Sequence, residues 1–261
     1  MSRFSIIVVF SLAAMQASLA GLARIAHADG DNTASAPVQA ASGPTPYPVD
    51  AASWPGQGAI RVYGYMNNYR QSFWRERERK QGSVVFAGDS LIGRWRTLAE
   101  DLPGVPVSNR GMDAEVSRGL LFRFKEDVLD LHPKAIVLLI GTNDVGMQQD
   151  VHQTRSNLVA MLDMAERAVP GVPIVLCTLP PRGDMTSPSD LNRLNDANML
   201  IASMAQGHSH VAVLDLHALL SDPDGSPHSA YFVSDKLHLS AAGYQRFRDA
   251  LLPILNRFKR G

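Results

Sequence analysis

The chain has one cysteine, Cys177, in 261 residues, and therefore forms no internal disulfide. That thiol sits in the apolar run Val172-Pro173-Ile174-Val175-Leu176-Cys177 and reads as a buried, inert side chain. No cysteine lies near the amino terminus, which argues against a lipoprotein anchor. Net charge is also lacking. The 25 basic and 25 acidic residues balance to +0, which removes the electrostatic footprint expected of a nucleic-acid or anionic-membrane binder. The segment Gly88-Asp89-Ser90-Leu91-Ile92-Gly93 lacks the lysine that a nucleotide phosphate site requires. What remains is 45% hydrophobic and 19% charged, the profile of a soluble globular protein with a sizeable core, one domain plus tails.

Residues 1–28 read as an export signal. Arg3 supplies the positive start, Phe4 to Ala14 the apolar stretch, and Ala26-His27-Ala28 a small-x-small cleavage site, with Ser18-Leu19-Ala20 as a second candidate. Phe4 to Ala23 is long enough for an uncleaved anchor, but Ser5, Ser11, Gln16 and Ser18 dilute it and favour cleavage. The expected localisation is secreted or periplasmic, with no stable membrane insertion after cleavage. Residues 29–58 are rich in Ala, Ser, Pro, Thr and Gly, and predict a disordered linker because they bury too little surface to offset ordering entropy. The folded domain is expected over 59–261, with Trp54 able to dock onto it.

Within that domain, helix and strand signals alternate. Tyr65, Tyr69 and Phe73 give helical spacing between Tyr63 and Gln81, and the mixed charges Arg75 to Lys80 form a solvated helix face. Strands are expected at Val84–Ala87, Val105–Ser108, Ala135–Ile140, Ile174–Leu179 and Val211–Leu216. Helices follow through Leu120, Leu121, Phe124 and Val128, over about His152–Ala168 and Ser189–Ala205, and after Ser240, where Tyr244, Phe247, Leu251 and Ile254 face inward. Five alternations predict an α/β fold with a five-stranded parallel sheet covered on both faces. Right-handed crossovers then gather the loops after the first three strands on one side.

Those loops carry the candidate chemistry. Gly88 lets the backbone turn tightly at the end of the first strand, and Ser90 follows where a nucleophile is presented; Asp89 or Ser90 acting only as a helix cap is the plain alternative. Asp235 and His238 lie three residues apart, a spacing that can bring both side chains to one side. His238 would take the serine proton, Asp235 would orient it, and Ser240 would cap the last helix. The backbone N–H groups of Ser90 and Gly111 and the side-chain amide of Asn143 are candidate donors to an oxyanion. Singly, Asn109, Gly111, Gly141 and Asn143 are ordinary turn residues; their joint placement at successive strand ends gives them meaning.

In order, Gly88-Asp89-Ser90-Leu91, the glycine of Asn109-Arg110-Gly111, Gly141-Thr142-Asn143-Asp144 and Asp235-x-x-His238 resemble the four motif blocks of the GDSL/SGNH hydrolase superfamily. Asn109-Arg110-Gly111 and Leu179-Pro180-Pro181-Arg182-Gly183 look most like the branch that holds the alpha subunits of platelet-activating-factor acetylhydrolase. The resemblance implies a flavodoxin-like three-layer α/β/α sandwich and a catalytic set of Ser90, Asp235 and His238. It also implies an oxyanion hole of Ser90, Gly111 and Asn143, and a local hydrogen-bonding role for Asp89. It departs from the α/β-hydrolase elbow, which needs glycine two residues after the serine, where this chain has Ile92.

The leading reading is a serine esterase that removes short, acetyl-type acyl groups from a small-molecule, glycan or lipid ester without metal or cofactor. An acyltransferase acting on glycans or cell wall, and a noncatalytic carbohydrate-binding or adaptor domain, are the alternatives. His208-Ser209-His210 is read as a solvated turn, Asp222-Pro223-Asp224-Gly225-Ser226 as a turn, and Trp95 as core with a rim contact to substrate as the alternative.

Overall fold

A computed structural model describes residues 42–258. The expected export signal, and the linker as far as residue 41, lie outside the described residues.

Five parallel strands, β1 (Val84–Gly88), β2 (Val107–Gly111), β3 (Ala135–Leu139), β4 (Ile174–Cys177) and β5 (Val211–Leu214), form a sheet in the order β2-β1-β3-β4-β5. This is the flavodoxin-like order, with its switch point between β1 and β3. Val85, Phe86, Ile136, Val137, Val175 and Leu176 are buried, as continuous apolar strands must be when helices cover both faces.

The helices are α1 (Gly64–Glu76), α2 (Ser90–Gly93), α3 (Leu98–Asp101), α4 (Ser117–Asp127), α5 (Thr142–Gly146), α6 (Val151–Ala168), α7 (Pro188–Ser203), α8 (Leu216–Leu220) and α9 (Ala241–Phe258). Helices α4, α6 and α7 pack side by side on one face, and α1 lies against α4. On the other face Trp95, just after α2, stacks on Tyr244 of α9 at 5.0 Å and meets Phe247 at the same distance. Trp95 is therefore core, and its indole N–H is donated to Asp101 Oδ2.

Two glycines set the spacing at the carboxyl ends of the strands. A Cβ on Gly88 would lie 2.0 Å from the carbonyl oxygen of Leu139, so no other residue lets β1 approach β3 there. A Cβ on Gly111 would lie 2.2 Å from the nitrogen of Gly93, so the pair lets α2 settle directly on β2.

Several boundaries differ from expectation. Strand β2 begins two residues later and continues through Asn109-Arg110-Gly111, because these residues pair in register with Phe86, Ala87 and Gly88. The first helix is α-helical only to Glu76 and tightens into a 3-10 turn over Arg77–Lys80. In α9 the inward position is Leu255, while Ile254 is half-buried.

The larger correction concerns residues 42–58, expected to be disordered linker. They pack along α4 and α6. Trp54 is 5% exposed, stacked on Tyr47 at 5.4 Å and against Phe122 at 5.0 Å. The main chain finds side-chain partners in the folded body: Arg118 donates to the carbonyls of Ala51, Trp54, Pro55 and Gly58. Asn157 exchanges two hydrogen bonds with Gln57, and Glu126 accepts from Thr45. A low-hydrophobicity segment is ordered here because a neighbouring surface satisfies its polar backbone.

Replacing Trp54 with alanine is expected to lower stability by about 3 kcal/mol in chemical denaturation, the usual loss for a buried large aromatic. The same substitution should speed proteolytic cleavage within this segment; unaltered values for both would mean the ring does not anchor it.

Candidate active site

Ser90 opens α2 directly after β1, and Asp89 is the N-cap, its Oδ1 accepting the N–H of Leu91 at 2.9 Å. Asp89 is therefore the cap, and the hydroxyl of Ser90 is not used for capping. Ser90 Oγ lies 2.9 Å from His238 Nε2, across 148 residues of chain. His238 Nδ1 lies 2.7 Å from Asp235 Oδ2.

A tight turn makes that second contact. Asp235 Oδ1 accepts the backbone N–H groups of Leu237 and His238, both at 2.9 Å, and Lys236 adopts a left-handed backbone with φ 52°. The carbonyl of His238 accepts the N–H of Val233, and Ser240 caps α9 by accepting the N–H of Gly243 at 3.2 Å. Desolvation acts against the Asp235 carboxylate, but the hydrogen bonds from the His238 ring and from the two N–H groups outweigh it and hold the acid down to about 2. It is ionised throughout the neutral range and able to orient an imidazole.

Asn143 stands in α5, after β3. It spends one amide hydrogen on the carbonyl of Glu115 at 2.9 Å, leaving the second for another acceptor. The next residue, Asp144, is buried and accepts from the N–H and Oγ of Ser117 and from Thr154, which fixes α5 against α4 and α6. Burial pushes its carboxyl up, against the hydrogen bonds from Ser117 and Thr154.

Ser90, Asn143 and His238 border one open cavity of about 470 Å³, together with Tyr65, Tyr69 and Ala114. Gly111 does not. Its N–H is donated to Asn109 Oδ1 at 3.0 Å, and the residue is turned to the packing of α2 on β2. From this side the cavity is bordered by Asp113 and Ala114, the latter at φ 62°. Sequence carries no sign of it, since alanine rarely adopts that conformation and only the surrounding fold imposes it.

As for a metal, the His208 and His210 rings are 5.8 Å apart and His210 Nε2 is 3.4 Å from Glu166, but among the described residues no three metal-ligating side chains converge. No described helix is long and apolar enough to cross a membrane.

A parallel sheet in this order, with a hydroxyl, an imidazole and a carboxylate in series at its carboxyl edge, defines the class of three-layer α/β/α hydrolases. Residues 80–246 match the model of the GDSL-like Lipase/Acylhydrolase family, well over half of the chain, and the chain belongs to that family. It is accordingly a carboxylic ester hydrolase. Among solved structures, a GDSL-like lipase from Bacteroides thetaiotaomicron is 20% identical, with a TM-score of 0.63 over 73% of this chain and 98% of its own. A protein from Streptococcus pneumonia named for platelet activating factor is 24% identical, with a TM-score of 0.62 over 72% and 91%. A variant of an acetyl-xylooligosaccharide esterase from Geobacillus stearmophilus is 20% identical, with a TM-score of 0.56 over 67% and 96%. At such identities the likeness is one of fold. No curated protein sequence matches the chain.

The buried Asp89 carboxyl yields a pH prediction. Desolvation raises it from 3.8 to about 7, with the charges of Asp144 and Glu115 adding to the effect and the Leu91 N–H opposing it. The folded state then binds a proton that the unfolded chain releases, so this group's contribution to stability is full below about pH 4 and is lost as pH rises through about 7. In Asp89→Asn, which keeps the capping oxygen, the fall in urea stability across that window should be smaller than in the wild type. Parallel curves would contradict the assignment.

Proposed function

We propose that the protein is an exported serine esterase that removes short acyl groups through a covalent intermediate on Ser90. The observation that carries this is the relay of 2.9 Å from Ser90 Oγ to His238 Nε2 and 2.7 Å from His238 Nδ1 to Asp235. Neutral His238 accepts the hydroxyl proton as Ser90 Oγ attacks the ester carbonyl, and Asp235 holds the ring and balances the imidazolium. The tetrahedral intermediate collapses, the C–O bond to the alcohol breaks, and His238 returns the proton to the departing oxygen. Water, deprotonated by His238 in turn, then attacks the acyl-enzyme and frees the acid and Ser90.

The negative oxygen of both intermediates would take hydrogen bonds from the Ser90 N–H, from the uncommitted amide hydrogen of Asn143, and from the Ala114 N–H in place of Gly111, whose N–H is already engaged. A short acyl group is favoured because the cavity has little aliphatic wall, Leu237 and Ala114, where a long chain needs an extended apolar groove. Export rests on the basic, apolar and small-x-small pattern of residues 1–28.

Ser90→Ala is expected to lose hydrolysis of p-nitrophenyl acetate and labelling by a fluorophosphonate while keeping its circular dichroism; retained turnover would end the proposal. Asp235→Asn should lower kcat by roughly 10⁴, as when the carboxylate behind a catalytic histidine is neutralised. Asn143→Ala should lower it by roughly 10²–10³, the cost of one oxyanion donor. A loss below threefold for Asn143→Ala would remove that residue from the mechanism.

A further inference from the structure

The stripe Tyr65, Tyr69, Phe73 on α1 runs from solvent into the core: Phe73 is buried, Tyr69 half-buried and Tyr65 exposed. Met66, Arg70 and Phe73 make the buried side of this helix, whereas Tyr65 is 40% exposed and Tyr63, just before it, 46%. Tyr65 and Tyr69 border the cavity that holds Ser90 and His238. Tyr63 stacks on Tyr65 with ring centroids 5.5 Å apart and planes at 17°, and Tyr65 meets Tyr69 edge-on at 6.3 Å and 70°. The three rings therefore form a row that begins beside the nucleophile and continues past the cavity rim.

The row is held in place. Tyr65 donates its hydroxyl to the carbonyl of Asp113 at 3.2 Å, and Asp113 in turn accepts from Arg94 through Nε and Nη2 at 3.1 and 2.9 Å. Arg94 and Asp113 also border the cavity, so a fixed aromatic surface lies next to a paired cation and carboxylate. All three tyrosines precede residue 80, where the family match begins, so they belong to a part of this chain outside the matched segment.

One ligand chemistry uses both halves of this surface. A sugar ring offers an apolar C–H face to an aromatic ring and, around its edge, hydroxyls that both donate and accept. A lipid chain would cover the Arg94–Asp113 pair and the phenol oxygens with methylenes that offer them no further hydrogen bond. We propose that Tyr63, Tyr65 and Tyr69 form a stacking platform for a carbohydrate, and that the ester cleaved is an acylated oligosaccharide, whose sugar hydroxyl is the alcohol released. Three rings in a row, one of them beyond the cavity, favour an oligomer over a single sugar. The inference rests on the esterase reading for the reaction but on the rings alone for binding.

The test has a kinetic arm and a binding arm. Wild-type protein should show a higher kcat/KM on partly acetylated xylotriose or cellotriose than on ethyl acetate, whose alcohol is too small to stack. Tyr65→Ala and Tyr63→Ala should each lower the ratio of the two by about tenfold, and Tyr65→Phe, which keeps the ring, should retain most of it. Thermal melts establish that each variant is folded. In the Ser90→Ala background, calorimetry should register binding of acetylated xylotriose or cellotriose, and adding Tyr65→Ala should abolish it. If ethyl acetate is cleaved but neither the ratio nor binding responds to the tyrosines, the platform is refuted while the esterase stands. If sugar binding depends on Tyr65 but no ester is cleaved, the esterase reading fails and the platform remains as a carbohydrate site.

Discussion

The side chain on which most of this architecture converges is Arg123. It is buried, ion-paired with Glu115 and with Asp127 at 3.3 Å, and it donates to the carbonyl of Arg110 at 2.7 Å. Burial drives the Glu115 carboxyl up, and the Arg123 guanidinium opposes that rise. Asp127 also faces Arg70 of α1 at 3.6 Å, and Arg70 pairs with Glu126 and donates to the carbonyl of Thr45. Strand β2, helices α1 and α4 and the segment before α1 are thus joined by a single buried set of charges. Removing one member of such a set leaves another charge buried without its partner, which is why its members act as a unit.

That cluster reaches the cavity beside Ser90 through one atom. The carbonyl of Glu115 holds the amide of Asn143, so the residue whose carboxylate is locked by Arg123 also orients the donor at the end of β3. Asp144 fixes the same turn from the other side through Ser117 and Thr154. Ser90 is positioned differently, by close backbone approach: Gly88 against Leu139, and Gly93 against Gly111. A buried polar network for the amide and glycine contacts for the hydroxyl give a site mounted on the rigid edge of the sheet. His238 and Asp235 reach it on a turn whose backbone donors are spent on the acid itself.

Helix α1 links the two themes. Its inner side feeds Arg70 into the ion cluster, and its outer side carries the tyrosine row beside Ser90. The segment from 42 to 58 clamps α4 from outside through Trp54, and accepts from Arg118 along its length. A region with the composition of a tether is in this way part of the scaffold behind the cavity wall.

Much of this was readable in advance, and for identifiable reasons. Unbroken β-branched runs such as Val84-Val85-Phe86 and Ala135-Ile136-Val137 announce strands buried on both faces, and their alternation with helical spacing determines a parallel sheet and gathers Ser90 and Asn143 at one edge. Asp235 and His238 were legible because three residues of a turn suffice to join them. Tertiary structure alone decided the order of segment 42–58, the left-handed Ala114 and the replacement of Gly111 at the cavity. It also decided which tyrosines face solvent. These outcomes depend on partners distant in sequence: Arg118 and Asn157 for the backbone of the segment, Asn109 for the N–H of Gly111, and Asp113 for the hydroxyl of Tyr65. Local pattern reports the conformation a stretch prefers, whereas a polar atom is satisfied by whatever the finished fold brings within reach.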